Sequence, residues 1–160
     1  MTELLWSICY IGLTGLFSFY TGAILPRKWF HDDKAPFKPF KWENNGKIYE
    51  KLNIRKWKGE ILDMSKIMTI ILPKKLPLSA TSGDVQSLIA ETCVAEAVHW
   101  FLCVVSVENF WIWRKSAEGI VITLLCIIGN MPFILVQRYN RPHLRKLKEK
   151  MLKREKRSEA

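Results

Sequence analysis

Acidic residues are scarce in this chain: 15 aspartates and glutamates stand against 25 lysines and arginines in 160 residues, a formal net charge of +10. The excess does not indicate a nucleic-acid binder. Charges and apolar residues are segregated into separate blocks, as in a small polytopic membrane protein and unlike a soluble basic domain. Cysteine is also sparse. Cys9, Cys93, Cys103 and Cys126 lie in or beside apolar stretches without metal-type pair spacing, which excludes a disulfide framework and a zinc site and leaves small buried residues. Of the three histidines only His99 follows a glutamate at helical spacing, Glu96-x-x-His99. Carboxylate-bridged di-metal bundles use that pair twice, so no metal is expected. Basic residues are missing ahead of the first apolar run, where Glu3 stands instead. That argues against a cleaved signal peptide and for a retained helix.

What is present is heavily apolar: 49% of residues are hydrophobic, with 7 Trp and 8 Phe, a large share for one soluble domain of this size. No charge interrupts residues 4–25 or 119–137, and about 20 apolar residues suffice for a helix to cross a bilayer core. A third run, residues 87–113, follows an expected helix start at Gly83-Asp84 with Asp84 as N-cap. The fold class is therefore an all-α integral membrane protein. It is read as one membrane domain over residues 1–160 with three spans, a polar loop over 26–86 and a basic tail over 138–160. Within the loop Ile48, Leu52, Trp57, Ile61, Met64 and Met68 recur at helical spacing between lysines and arginines, the pattern of an amphipathic helix lying in the membrane interface. The plainer reading is a solvated helix packed on the spans.

Lysine and arginine crowd the loop and the tail, whereas only Arg114 and Lys115 separate the second and third spans. The positive-inside rule puts loop and tail in the cytoplasm and makes the chain a multi-pass protein of the cell membrane. Three spans form a thin wall around a lipid-sized site, so a homo-oligomer is expected.

Two stretches carry chemistry. In Glu91-Thr92-Cys93-Val94-Ala95-Glu96-Ala97-Val98-His99-Trp100, helical spacing puts Thr92, Glu96 and His99 on one face, with Cys103 continuing it and Glu91 to the side. An ionisable group inside a span costs several kcal/mol unless it is partnered, so it marks a functional site by default. A helix rises 1.5 Å per residue, which sets Asn130 of the third span near the depth of His99. The second stretch, Asn130-Met131-Pro132 followed by Gln137-Arg138-Tyr139-Asn140-Arg141-Pro142, contains a proline able to open the helix beside Asn130. Its arginines suit bidentate phosphate binding. As basic residues beside a span, they are equally ordinary membrane anchors. A lone histidine is more often structural than catalytic, and a covalent route through Cys103 is disfavoured because apolar surroundings keep a thiol inert.

Three blocks, Arg55-Lys56-Trp57-Lys58 with Ile61-Leu62-Asp63, Glu91-Thr92 with Glu96 and His99-Trp100, and Asn130 to Pro142, resemble those of the glycosyl-4,4'-diaponeurosporenoate acyltransferases. To these small bacterial membrane proteins the last step of staphyloxanthin-type carotenoid synthesis is assigned. The resemblance runs from Trp42 to Leu147, departs over Met68 to Val85, and reaches the first span only in apolar character. It implies transfer of a fatty acyl group, with acyl-CoA as the usual co-substrate and no bound cofactor, to a hydroxyl of a lipid-linked sugar among membrane lipids. On that basis His99 is the general base, Glu96 fixes its tautomer, and Asn130 or Arg138 stabilises the oxyanion. Arg55, Lys56, Arg138 and Arg141 hold donor phosphates. Trp57, Glu91, Gln137, Tyr139 and Asn140 of the same blocks join them in substrate binding. Two other classes share these features: a membrane methyltransferase or reductase binding an anionic cofactor at the same face, and a non-enzymatic membrane scaffold.

Overall fold

Among the residues described in the computed structural model, three helices are long and apolar enough to cross a membrane: Thr2–Ile24, Ser82–Ile112 and Ala117–Ser158. The structure describes residues 2–58 and 80–158. In chain order the helices are α1 (Thr2–Ile24), α2 (Lys47–Lys51), α3 (Ile54–Trp57), α4 (Ser82–Val105), α5 (Asn109–Ile112) and α6 (Ala117–Ser158), with no strand among the described residues. They belong to two compact units, Met1–Leu25 with Ala95–Ile134, and Pro26–Val94 with Leu135–Ala160.

In the first unit the polarity of a soluble protein is inverted. Along α1 the buried residues are Ser7, Ser18 and Gly22, while Leu5, Trp6, Leu13 and Phe17 face outward. Hydrocarbon accepts such an apolar exterior, and the small polar residues inside are bonded within the protein. Trp113 Nε1 donates to Ser7 Oγ at 2.8 Å, and Tyr10 Oη donates to the Val105 carbonyl at 2.9 Å. That carbonyl lies where α4 tightens into a 3₁₀ turn, Ser106–Glu108, before α5. The neighbouring Ser106 carbonyl accepts from Asn109 Nδ2 at 2.9 Å and from Thr123 Oγ1 at 3.3 Å. Side chains thus satisfy the backbone groups that the irregular turn frees, as burial away from water requires. After α5 the chain reverses through Arg114 and Lys115, both with positive φ. A Cβ at Gly119 would lie 2.8 Å from Trp113 Cβ and 3.2 Å from the Asn109 carbonyl oxygen, so only glycine fits the return.

The second unit departs from expectation in three places. The amphipathic helix comes in two pieces over its described part, because Asn53 sits in the left-handed region (φ 51°) between α2 and α3. Its residues beyond 58 lie outside the described ones. Tyr49 and Ile54 bury their side chains with Val136 and Tyr139 of α6, Ile48, Trp57 and Leu135 packing around them. Tyr49 and Ile54 thus pack against protein, whereas Leu52 of the same pattern stays half-exposed. Second, α4 begins at Ser82, and Asp84 is its third residue, closing a capping box with Thr81, and is not the N-cap. Thr81 Oγ1 accepts from Asp84 N–H at 3.3 Å while the Asp84 carboxylate accepts from Thr81 N–H at 2.8 Å. Third, α6 does not end where the third span should leave the bilayer. It continues as one helix of 42 residues through Pro132 and Pro142, about 63 Å at 1.5 Å per residue and roughly twice a hydrocarbon core.

Continuation of α6 sets Arg138, Arg141 and Arg145 at helical spacing on one face, and each takes hold of the loop that follows α1. Arg138 pairs with the buried Glu43 carboxylate, donates to the Pro36 carbonyl at 2.9 Å and lies over the Phe40 ring. Arg141 donates to the Phe37 carbonyl at 2.8 Å and to Thr92 Oγ1 at 3.1 Å. Arg145 binds both the carboxylate and the carbonyl of Asp32. At the far end, the Glu155 carboxylate accepts from the Ser82 backbone N–H and hydroxyl at 2.8 and 2.7 Å.

Candidate active site

His99 lies on the α4 portion of the first unit, and the opposing residues come from α6. Its Nδ1 is 2.8 Å from Asn130 Oδ1, and its ring stacks on Phe133, with centroids 4.5 Å apart and planes 15° from parallel. Asn130 and Phe133 are three residues apart on a helix and so share a face. The remaining end of the Asn130 amide settles the protonation. Asn130 Nδ2 donates to the Cys126 carbonyl at 2.8 Å, and because a carbonyl only accepts, the NH₂ group must point there and Oδ1 toward His99. Nδ1 of a neutral His99 therefore carries the proton, and Nε2 presents a lone pair. Nε2 makes no hydrogen bond among the described residues.

Glu96 is one turn earlier on α4 and fully buried, accepting a long contact from Trp100 Nε1 at 3.4 Å. The residue that meets His99 Nδ1 is Asn130. Asn130 Nδ2 gives one of its two N–H groups to the Cys126 carbonyl, so the oxyanion role expected of Asn130 rests on the other. Cys103 is buried. Among the described residues no three of His, Cys, Asp and Glu are grouped as metal ligands would be.

The other sequence-predicted residues fall in the second unit. Glu91 forms a two-pronged ion pair with Arg27, at 2.7 Å to Nε and 3.0 Å to Nη2. Arg55 and Lys56 are exposed on α3. Trp57 Nε1 donates to the Leu52 carbonyl at 3.0 Å, and its ring packs against the Tyr49 cluster. Gln137 and Tyr139 are buried, and Asn140 accepts from Lys58 Nζ at 3.1 Å. Lys58 also sits over the Tyr139 ring. Burial, and then the charge of Arg55, lower its pKa from the usual lysine value. Arg138 and Arg141 were expected to grip donor phosphates or an oxyanion. Both are buried and committed to loop carbonyls, and Arg138 to Glu43. They act as internal ties, since a phosphate would have to displace partners already desolvated with them.

Sequence reading passed over Glu43, Phe133 and Arg145. The 138, 141, 145 spacing would have revealed Arg145 once α6 was extended past residue 137. Nothing local identifies Glu43, whose partner lies 95 residues away.

A family model described as glycosyl-4,4'-diaponeurosporenoate acyltransferase matches residues 26–150. Two Staphylococcus aureus proteins of that name, from a bovine strain and from strain Newman, are 32% and 31% identical to this chain over 145 residues. Each alignment covers 89% of this chain and 82% of the relative. No solved structure matches.

Proposed function

The chain belongs to the glycosyl-4,4'-diaponeurosporenoate acyltransferase family, and from that membership we propose that it moves a fatty acyl group from acyl-CoA to a hydroxyl of a membrane-held glycolipid such as a glycosylated carotenoid. One observation carries the chemical reading. His99 is locked by Asn130 with its Nδ1 protonated and its Nε2 lone pair unbonded among the described residues, the state in which a histidine acts as a general base.

The acceptor hydroxyl gives its proton to His99 Nε2 as its oxygen attacks the thioester carbonyl. The new C–O bond forms, the C–S bond breaks, and the imidazolium returns the proton to the departing thiolate. Asn130 Oδ1 keeps the ring oriented and stabilises the Nδ1–H of the imidazolium, and Phe133 limits ring rotation by stacking. Three membrane-length helices support a site within reach of a lipid-held acceptor. The excess of positive charge in the loop and the α6 extension supports placing these segments on the cytoplasmic side of the cell membrane, where acyl-CoA is made.

Lipid mass spectrometry tests this reading in a host that makes the glycosylated carotenoid, with and without the protein. The expected result is a new ester heavier than the acceptor by one fatty acyl group. A methylated or hydrogenated product, or no product with the acceptor consumed elsewhere, would contradict it.

A further inference from the structure

The second unit holds a cleft of about 760 Å³ lined by His31, Asp32, Asp33, Lys38, Pro39, Gln86, Arg145 and Lys148. Its size is in the ~300–1,000 Å³ range of small-molecule sites. Its lining is polar, and its cations are supplied by two segments far apart in sequence. Arg145 is held through Nε and Nη2 by Asp32, and its Nη1 makes no hydrogen bond among the described residues. Lys148, three residues on along the same face of α6, is held by the neutral Gln86 Oε1 at 2.8 Å. No carboxylate among the described residues neutralises it. Lys38 stands exposed on the loop side of the cleft. Asp33 is the one carboxylate of the lining outside the Arg145 pair.

The geometry points to this cleft as the seat of the phosphate-bearing nucleotide of the acyl donor, with Arg145, Lys148 and Lys38 on its phosphates and Asp33 accepting from a ribose hydroxyl. The proposal rests on the acyl-CoA reading above and relocates the phosphates from Arg138 and Arg141, which are spent on the loop. Arginine oriented by a carboxylate presents its remaining N–H groups in a fixed direction, and lysine adds a mobile point charge. Free phosphate shares the phosphate chemistry but gives Asp33 nothing to do, and a hydroxyl-bearing headgroup such as phosphoglycerol is set apart by the nanodisc competition below. CoA offers phosphates and a ribose together.

The test uses the full chain in nanodiscs of neutral phosphatidylcholine, titrated with CoA and with dephospho-CoA by calorimetry. CoA should bind more tightly than dephospho-CoA, and Lys38→Gln with Lys148→Gln should weaken CoA by about tenfold or more, the loss of charge-assisted bonds to phosphate. The same pair of changes at Lys47 and Lys51, outside the cleft, should leave CoA affinity within about twofold, since distant exposed charges are screened. His99→Ala should bind CoA normally. Unchanged affinity in the Lys38/Lys148 variant overturns the assignment. So does displacement of CoA by phosphatidylglycerol added to the nanodisc, which would make this a lipid-headgroup site. Wild-type protein that binds no CoA yet transfers acyl groups from another donor overturns this proposal together with acyl-CoA as the donor, and leaves acyl transfer through His99 standing. CoA bound in the cleft with no acyl transfer contradicts the enzymatic reading alone.

Discussion

At His99 the choice between two tautomers is made one residue further out, by the Cys126 carbonyl that fixes the Asn130 amide. In the proposed mechanism Asn130 positions the base, and removing it should spare the fold while misdirecting the base. Asn130→Ala should lower the transfer rate on the order of 10²-fold, the effect of a misplaced catalytic group. Equal activity in Asn130→Ala and wild type would remove Asn130 from the account. A second residue-scale prediction concerns Tyr49, whose hydroxyl is buried without a regular hydrogen bond beside the Glu43 carboxylate. Burial, and then the negative charge of Glu43, raise its pKa above the ordinary tyrosine value. Since the folded value exceeds the unfolded one near 10, this contribution is fully present below about pH 10 and is lost as pH rises further. Phenolate absorbance of wild type against Tyr49→Phe should show the difference only well above pH 10. A difference at or below that pH would contradict the burial argument.

Among the elements, α6 ties down the loop that follows α1, and the Arg138–Glu43 pair is the tie buried on both sides. Breaking a buried ion pair from one side leaves an uncompensated charge, which costs about 3–5 kcal/mol. Glu43→Ala or Arg138→Ala should therefore lower the thermal midpoint in detergent sharply. A double substitution by apolar residues should restore part of it, because no lone charge remains. Additive losses in the double variant would contradict the pairing. The same helix shows how far sequence reasoning reached. Freedom from charge over residues 4–25 and 119–137 marked out stretches that fall in the membrane-length helices α1 and α6, and the rise per residue was enough to bring Asn130 level with His99. What lay beyond reach was which atoms each side chain meets. Pro132 and Pro142 read as breaks but are carried by a continuous helix, and arginines read as phosphate ligands turned out to face Glu43 and backbone carbonyls supplied by a loop about a hundred residues away. The Asn130 amide was likewise placed near the depth of His99, but its pairing with the Cys126 carbonyl was not legible in the sequence.

For the whole molecule, the account requires three crossings with the basic loop and the α6 extension on one side. An impermeant thiol reagent applied to intact cells should fail to label Lys34→Cys and Lys146→Cys beyond the parent level and should label Lys115→Cys. The opposite pattern would invert the topology and remove the cytoplasmic donor from reach. The central claim, however, is that this membrane fold is an acyltransferase working through a neutral His99 with its Nε2 lone pair free. The most direct measurement is the rate of glycolipid ester formation by purified wild type and His99→Ala in nanodiscs, followed by lipid mass spectrometry alongside a thermal-stability control. A rate lower by about 10²- to 10⁴-fold, the usual worth of a general base, with the thermal midpoint unchanged, is the predicted result. Ester formation at the wild-type rate by a folded His99→Ala protein would contradict the account.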